Sequence, residues 1–199
     1  MPDDDALMIR LQEGDARAFD ELVAKYQGPL VGFFQRNTRD LQLSEDLTQE
    51  TLLRVYNQSW DYLPVGKFRG WMYRIARNLL IDNVRRQSHD ALVHACTGGQ
   101  TDAADAIARL ADKLLPPDQR ADQRDFQRLI EELLSQLPED QRLTFTLHHF
   151  SELTLGEVAN VMETSLPTSK SRLRLAREKL REKLQTRGVT DPNTARGDA

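Results

Sequence analysis

The sequence predicts an all-α chain of two small helical domains joined by a flexible linker, the C-terminal one a helix-turn-helix. Three observations carry that prediction. The stretch Leu153 to Leu184 spells two helices joined by a tight turn, with the cationic charge on the second. Elsewhere apolar residues recur at i, i+3, i+4 and i+7, the spacing of one face of an α-helix. Between Ser88 and Arg124 that pattern lapses, and the pairs Gly98-Gly99 and Pro116-Pro117 punctuate the gap.

Taken in order, helical pattern runs from about Asp5 to Asn37, broken at Gly14-Asp15 with Asp15 as the cap. Phe19, Leu22, Val23 and Tyr26 form a core face, and Gly28-Pro29 marks a bend. Ser44 is the expected cap of the next helix, SEDLTQETLLRVYNQS. In it Leu47 and Val55 face inward, while Asp46, Gln49, Glu50 and Leu53 occupy a mostly polar outer face that periodicity alone reads as solvated. After the turn at Leu63-Pro64-Val65-Gly66, Phe68, Trp71, Met72, Ile75, Ala76 and Leu79 follow the helical template. Arg69, Tyr73, Arg74, Arg77 and Asn78 lie on or beside the other side, with Trp60, Tyr62 and Trp71 close in sequence. Rings interleaved with arginines suit single-stranded nucleic acid, whose bases stack while its backbone is followed by cations. An aromatic core with a solvated basic rim fits the same residues.

The segment from Ser88 to Arg124 reads as linker, its Ala/Asp-rich middle at best transiently helical. Phe126, Leu129, Ile130, Leu133, Leu134 and Leu137 then define an amphipathic helix, and Pro138 starts another that runs to about Phe150. In the final pair, Leu155, Val158, Ala159 and Met162 make one stripe, and Thr154 with Glu157 makes a capping box. Ser165 caps the second helix, with Pro167 in its first turn, where a missing N–H costs little. Leu173, Ala176, Leu180 and Leu184 form its packing stripe. Lys170, Arg174, Arg177 and Arg181 form another, rotated away from it. A basic helix of this kind fits the DNA major groove, holding phosphates and reading base edges. A solvated helix whose Glu178 and Glu182 pair with neighbouring bases is the plainer reading.

Charge supports two nucleic-acid contacts. The net charge of −4 hides an uneven distribution. From Lys67 to Gln87 six bases stand against Asp82 alone, and from Pro167 to Arg187 eight stand against Glu178 and Glu182. Two basic patches in an anionic body imply weak indiscriminate binding by the free protein. The 39% hydrophobic content and the lack of a long apolar run exclude a bilayer span. The acidic start MPDDDALMIR is unlike a secretory leader, and the single cysteine, Cys96, forms no internal disulfide, so a reduced, cytoplasmic setting is expected. His89, His94 and Cys96 are the clustered soft-metal ligands, without zinc-site spacing, so no metal is expected. The sequence holds no phosphate-cradling glycine loop and no nucleophile motif, so neither catalysis nor a cofactor is expected.

With DLTQETLLRVY, FRGWMYRIARNLLIDNVRR and LPEDQRLTFTLHHFSELTLGEVANVMETSLPTSKSRLRLAREKL in this order, the chain resembles an extracytoplasmic-function sigma factor of the sigma-70 family, a transcription initiation subunit reduced to domains 2 and 4. The resemblance implies domain 2 over 1–88, a linker over 89–124 that is long for the family, domain 4 over 125–187 and a disordered tail over 188–199. It implies that Asp46, Gln49, Glu50 and Leu53 dock on the β′ clamp helices of core RNA polymerase. It implies that Lys67, Arg69, Trp71, Arg74, Arg77 and Asn78 open and bind the minus-ten element of promoter DNA. Lys170, Ser171, Arg172, Arg174 and Arg177 would read the minus-thirty-five element. The family also implies an anti-sigma factor as partner and a stress or envelope-signal regulon. Where the family pattern has Gly-Thr-Val before Lys-Ser-Arg, this chain has Pro167, Thr168 and Ser169, and only the threonine matches. A stand-alone helix-turn-helix regulator is the alternative function, and a helical adaptor with merely solvated basic faces is a third.

Overall fold

Short polar side chains decide where the N-terminal helices begin. The computed structural model describes residues 3–97 and 129–187, apart from the side chains of 88–97. Helix α1 spans Asp4–Gln12. Gly14 then takes φ 92°, a left-handed turn that glycine adopts without strain. Asp15 accepts from the Arg17 amide at 3.0 Å, the cap that starts α2, Ala16–Thr38. Pro29 lies inside α2 without ending it. Leu22, Tyr26, Leu30, Phe33 and Phe34 are buried along it, and Phe19 and Val23 pack at the margin.

The next helix, α3, spans Leu41–Asn57 and starts before the expected Ser44. Its cap is Asp40, whose carboxylate accepts from the Leu43 amide at 3.0 Å. Arg39, at φ 60°, turns the chain so that Asp40 is extended and free to cap. Ser44 is instead buried in the helix, where its hydroxyl donates to the Asp40 carbonyl at 2.6 Å. Thr48 and Thr51 do the same to Ser44 and Leu47, which lets three polar side chains sit buried against α2. A 3-10 turn at Ser59–Asp61 leads to α4, Phe68–Thr97, whose helical backbone runs past residue 88 into the stretch expected as linker. The rest of that stretch, the tail 188–199, Phe126 and the side chains of His89, His94 and Cys96 lie outside the description.

In the C-terminal half, α5 (129–135) precedes α6 (Glu139–His149), α7 (Leu155–Val161) and α8 (Leu166–Thr186). The described residues contain no β-strand. Leu133, Leu134 and Leu137 close a small core with Ala176 and Leu180 of α8. The larger core does not stop at the domain boundary: Leu143, Leu147, Leu153, Val158, Val161 and Met162 join one cluster with the buried residues of α1 to α4. At its edge Arg36 lies over the Phe150 ring, 4.0 Å from the centroid, and Arg142 donates to Asn37 at 3.2 Å. The two halves therefore pack on each other through α2 against α6 and α4 against α7.

Candidate nucleic-acid and partner interfaces

The capped helix pair forms as its sequence requires. Thr154 accepts from the Glu157 amide at 3.3 Å, while the Glu157 carboxylate accepts from the Thr154 amide at 2.8 Å. At the other end of α7 the amides of Glu163 and Thr164 reach the Asn160 and Ala159 carbonyls at 3.3 and 2.9 Å, a Schellman closure. Ser165 accepts from the Thr168 amide at 3.2 Å, and Pro167 fits the first turn of α8 without breaking it. Leu173, Ala176 and Leu180 are buried, which points Lys170, Ser171, Arg174 and Arg177 to solvent along one stripe. Arg174 keeps 64% of its side chain exposed although it pairs with Glu178 at 2.6 Å. Arg172 is placed differently: its guanidinium is half-buried and held by Asp140 at 2.5 Å. Arg177 donates to the His149 ring at 3.1 Å. Burial first, then the positive charge of Arg177 and of His148, pushes His149 below its ordinary range.

Helix α4 is buried on more of its circumference than its apolar spacing suggests. Phe68, Met72, Ala76 and Leu79 are in the core, and so is Tyr73, expected beside the basic side. Tyr73 stands edge-on to Phe33 at 5.5 Å, so α2 claims a second strip of α4. Tyr62 is buried too. Trp71 is half-buried against Tyr62 at 5.1 Å, whereas Trp60 is 73% exposed. Lys67, Arg74 and Asn78 are exposed, and Arg69 and Arg77 are half-buried.

Between α4 and the preceding loop lies a cleft of about 250 Å³ lined by Tyr62, Leu63, Val65, Lys67, Trp71 and Arg74, with Glu157 and Asn160 of α7 on its far wall. The loop is fixed by a residue that no local signal marks. Asp5 accepts from the Tyr62 hydroxyl at 2.5 Å and from the Gly66 amide at 2.5 Å, with Gly66 at φ 72°. Burial and then this bond to Asp5 push the Tyr62 hydroxyl far above its ordinary range. Gln12 adds bonds to the Ser59 and Tyr62 carbonyls at 2.7 and 2.9 Å.

The basic side of α4 also meets the C-terminal half. Arg69 donates to the Ser151 carbonyl and sits 3.2 Å from the Glu152 carboxylate. Arg74 donates to the Asn160 carbonyl at 3.3 Å, and Arg77 approaches Glu163 at 4.0 Å.

On α3, Asp46, Gln49 and Leu53 are exposed, and Glu50 is half-buried in an ion pair with Arg54 at 2.8 Å. They border a shallow cleft of about 340 Å³ between α2 and α3, lined by Val23, Gln27, Val31, Glu45, Thr48, Gln49 and Leu52. Leu53 is an exposed apolar side chain beside these polar ones.

One half thus carries a basic helix with aromatic neighbours, and the other a capped helix pair with an outward cationic stripe, the arrangement that helix-turn-helix proteins present to nucleic acid. Comparison makes the class specific. Residues 22–89 match Sigma-70 region 2, and residues 127–180 match Sigma-70, region 4. Over 183 residues the chain is 32% identical to the RNA polymerase sigma-H factor of Pseudomonas aeruginosa, covering 92% of this chain and 94% of that one. It is 30% identical over 174 residues to the ECF RNA polymerase sigma factor SigM of Bacillus subtilis, covering 86% and 98%. The fold is shared with CnrH, solved with the cytosolic domain of CnrY, at a TM-score of 0.68 and 21% identity over 93% of this chain and 99% of that one. The chain belongs to the extracytoplasmic-function RNA polymerase sigma factors of the sigma-70 family. That membership sets the stand-alone regulator aside.

Proposed function

We infer that the chain binds core RNA polymerase in the cytoplasm through Asp46, Gln49, Glu50 and Leu53 on the β′ clamp helices. Lys67, Arg69, Trp71, Arg74, Arg77 and Asn78 then take the minus-ten element as a single strand, and Lys170, Ser171, Arg172, Arg174 and Arg177 take the minus-thirty-five element in the major groove. The chain supplies recognition and leaves catalysis to polymerase, without a cofactor of its own. An anti-sigma factor is its regulatory partner, as the anti-sigma factor NepR is for the sigma factor RpoE of Bartonella quintana, a solved complex of the same fold. Among the described residues no helix is long and apolar enough to cross a membrane.

The observation that carries this reading is the stripe Lys170, Ser171, Arg174 and Arg177, exposed on α8 opposite its buried Leu173, Ala176 and Leu180. Its exposed cations match the polyanionic groove that admits a helix. Arg172, held by Asp140, fits a phosphate contact at the stripe's edge better than a base contact.

The test is core binding. Gln49→Ala with Glu50→Lys removes two side chains of the α3 face and one partly exposed i,i+4 ion pair, worth about 0.3 to 0.5 kcal/mol. Helical content and melting temperature should barely move, since surface changes typically cost less than about 0.5 kcal/mol. Association with core polymerase, followed by co-elution and run-off transcription, should be lost. A folded variant that still drives promoter-specific run-off would remove α3 as the docking face.

A further inference from the structure

The three arginines assigned to the upstream element on α8 are seated differently. Arg172 is held by the Asp140 carboxylate at 2.5 Å and Arg174 by Glu178 at 2.6 Å, so each shares its charge with an anion. Arg177 has no carboxylate partner among the described residues. Its Nε and one Nη instead converge on a single atom, the His149 Nε2, at 3.3 and 3.1 Å. A guanidinium only donates, so that ring nitrogen carries the lone pair and the neutral ring keeps its proton on Nδ1. Charge-assisted bonds to an oxyanion run nearer about 2.7 to 2.9 Å, and this edge of the guanidinium is the fork that takes two oxygens of a phosphate. The fork is therefore lightly held by a neutral placeholder and keeps its full charge.

The groups around His149 oppose a second proton on the ring. α8 brings Arg177, and α6 brings His148, with ring centroids 4.9 Å apart. α2 brings Arg36 onto the adjoining Phe150 ring, and among the described residues no carboxylate bears on His149. Phe145 stacks on the imidazole at 4.4 Å between centroids and fixes its plane. Both His149 and Arg177 nevertheless stand exposed, at the end of the stripe formed by Lys170, Ser171 and Arg174. A phosphate arriving there is the anion that this pair lacks. It would take the Arg177 fork and meet the His149 lone pair, a repulsive contact that a proton on Nε2 turns into a hydrogen bond.

We propose that His149 is a further DNA-backbone contact beside the recognition helix, neutral in the free protein and protonated when a phosphate enters the Arg177 fork, so that binding the upstream element takes up a proton. This rests on the reading of α8 as the helix that meets that element. The proton comes from solvent, forms the Nε2–H bond while Nδ1 keeps its own, and returns to solvent on release. The phosphate stabilises the charged ring, so the pKa in the complex lies above that of the free chain, which burial and then Arg177 hold below 6.5. Affinity therefore rises as pH falls through the value in the complex and levels off below the value in the free chain. One proton allows a rise of at most about tenfold per pH unit.

The test is promoter binding by the reconstituted holoenzyme, on a labelled fragment that supports run-off transcription. Fluorescence anisotropy reads it across a salt series at about pH 8 and about pH 6, and each protein is compared with itself between the two. Wild type should tighten several-fold at the lower pH, and its salt slope should steepen by about one unit as one more cation meets a phosphate. His149→Gln keeps a neutral acceptor for Arg177 and takes no proton, so it should show neither change. His149→Lys carries a permanent cation, so it should show the steep slope at both pH values. Helical content and melting temperature at each pH establish that both variants are folded. Wild-type binding that does not respond to pH, or an equal response in His149→Gln, overturns the proposal. Lys170→Ala and Arg174→Ala separate it from the reading beneath it: undiminished promoter binding by both removes the α8 assignment, whereas lost binding in them beside a pH-inert His149 removes the proton alone.

Discussion

Asp5 of α1 fixes the loop before α4, although no local pattern marks it.

 Its carboxylate reaches across 57 and 61 positions of sequence to hold the Tyr62 hydroxyl and the Gly66 amide, and so shapes the loop beside Trp71. Read along the chain, Asp5 is one acid among several at an acidic start, because periodicity and capping rules see only near neighbours. Asp4 is a similar case, accepting from Tyr26 at 2.6 Å and Lys25 at 2.5 Å. The two acids tie α1 to the loop and to α2. Asp5→Ala leaves a buried phenol without its acceptor, a loss of about 1 to 3 kcal/mol. Urea denaturation should show that loss, and holoenzyme carrying the variant should bind the minus-ten strand more weakly, while Asp3→Ala should do neither. An unchanged urea midpoint for Asp5→Ala would mean that the bond contributes nothing to folding. Residue identity also explains the two local misreadings. Ser44 has the chemistry of a cap, but Asp40 stands where the extended backbone permits one. Tyr73 falls outside the α4 stripe, but α2 covers that strip as well.

At the scale of elements, α7 and α8 were the most legible, since their start signals and apolar stripes are encoded within a few residues of each other. The capping box, the Ser165 cap and the buried Leu173, Ala176 and Leu180 all stand where the spacing puts them. The apolar side of α4 was legible for the same reason, but the cover over its basic side was not, because that cover comes from residues about eighty positions away. The contact between α6 and α8 carries its own pH dependence. His149 stacks on Phe145 with centroids 4.4 Å apart and accepts from Arg177, an arrangement that favours the neutral ring. Its folded pKa lies below the ordinary value of 6.5, so the unfolded chain binds more protons between the two. Stability from this group is therefore fully present above 6.5 and is lost as pH falls from there through the folded pKa. His149→Gln should flatten that part of the profile. Guanidinium denaturation at about pH 7.5 and about pH 5.5 measures it, and an equal acid-side loss in wild type and variant would assign the slope to other groups.

At the scale of the whole molecule, the lapse in pattern after Ser88 divides the chain into two helical domains, and the larger apolar cluster runs through both. Local spacing shows that Val158 and Met162 are buried. It does not show what buries them, because a stripe that suits α8 suits α4 equally well. The two cores make the organisation testable by calorimetry. Leu134 is fully buried in the small C-terminal core, and Met162 is 4% exposed in the shared one. Truncating either to alanine should cost about 2 to 5 kcal/mol, set by how far the site collapses around the cavity. The consequences should differ in kind. Leu134→Ala weakens α5 against α8, so it should lower the melting of the C-terminal half and leave oligothymidylate binding by α4 unchanged. Met162→Ala weakens the contact between halves, so the melting profile should separate into two transitions. Calorimetry and fluorescence anisotropy on the same samples read both effects. A Met162→Ala protein that still melts in one step would mean that the contact between the halves survives the loss of this side chain.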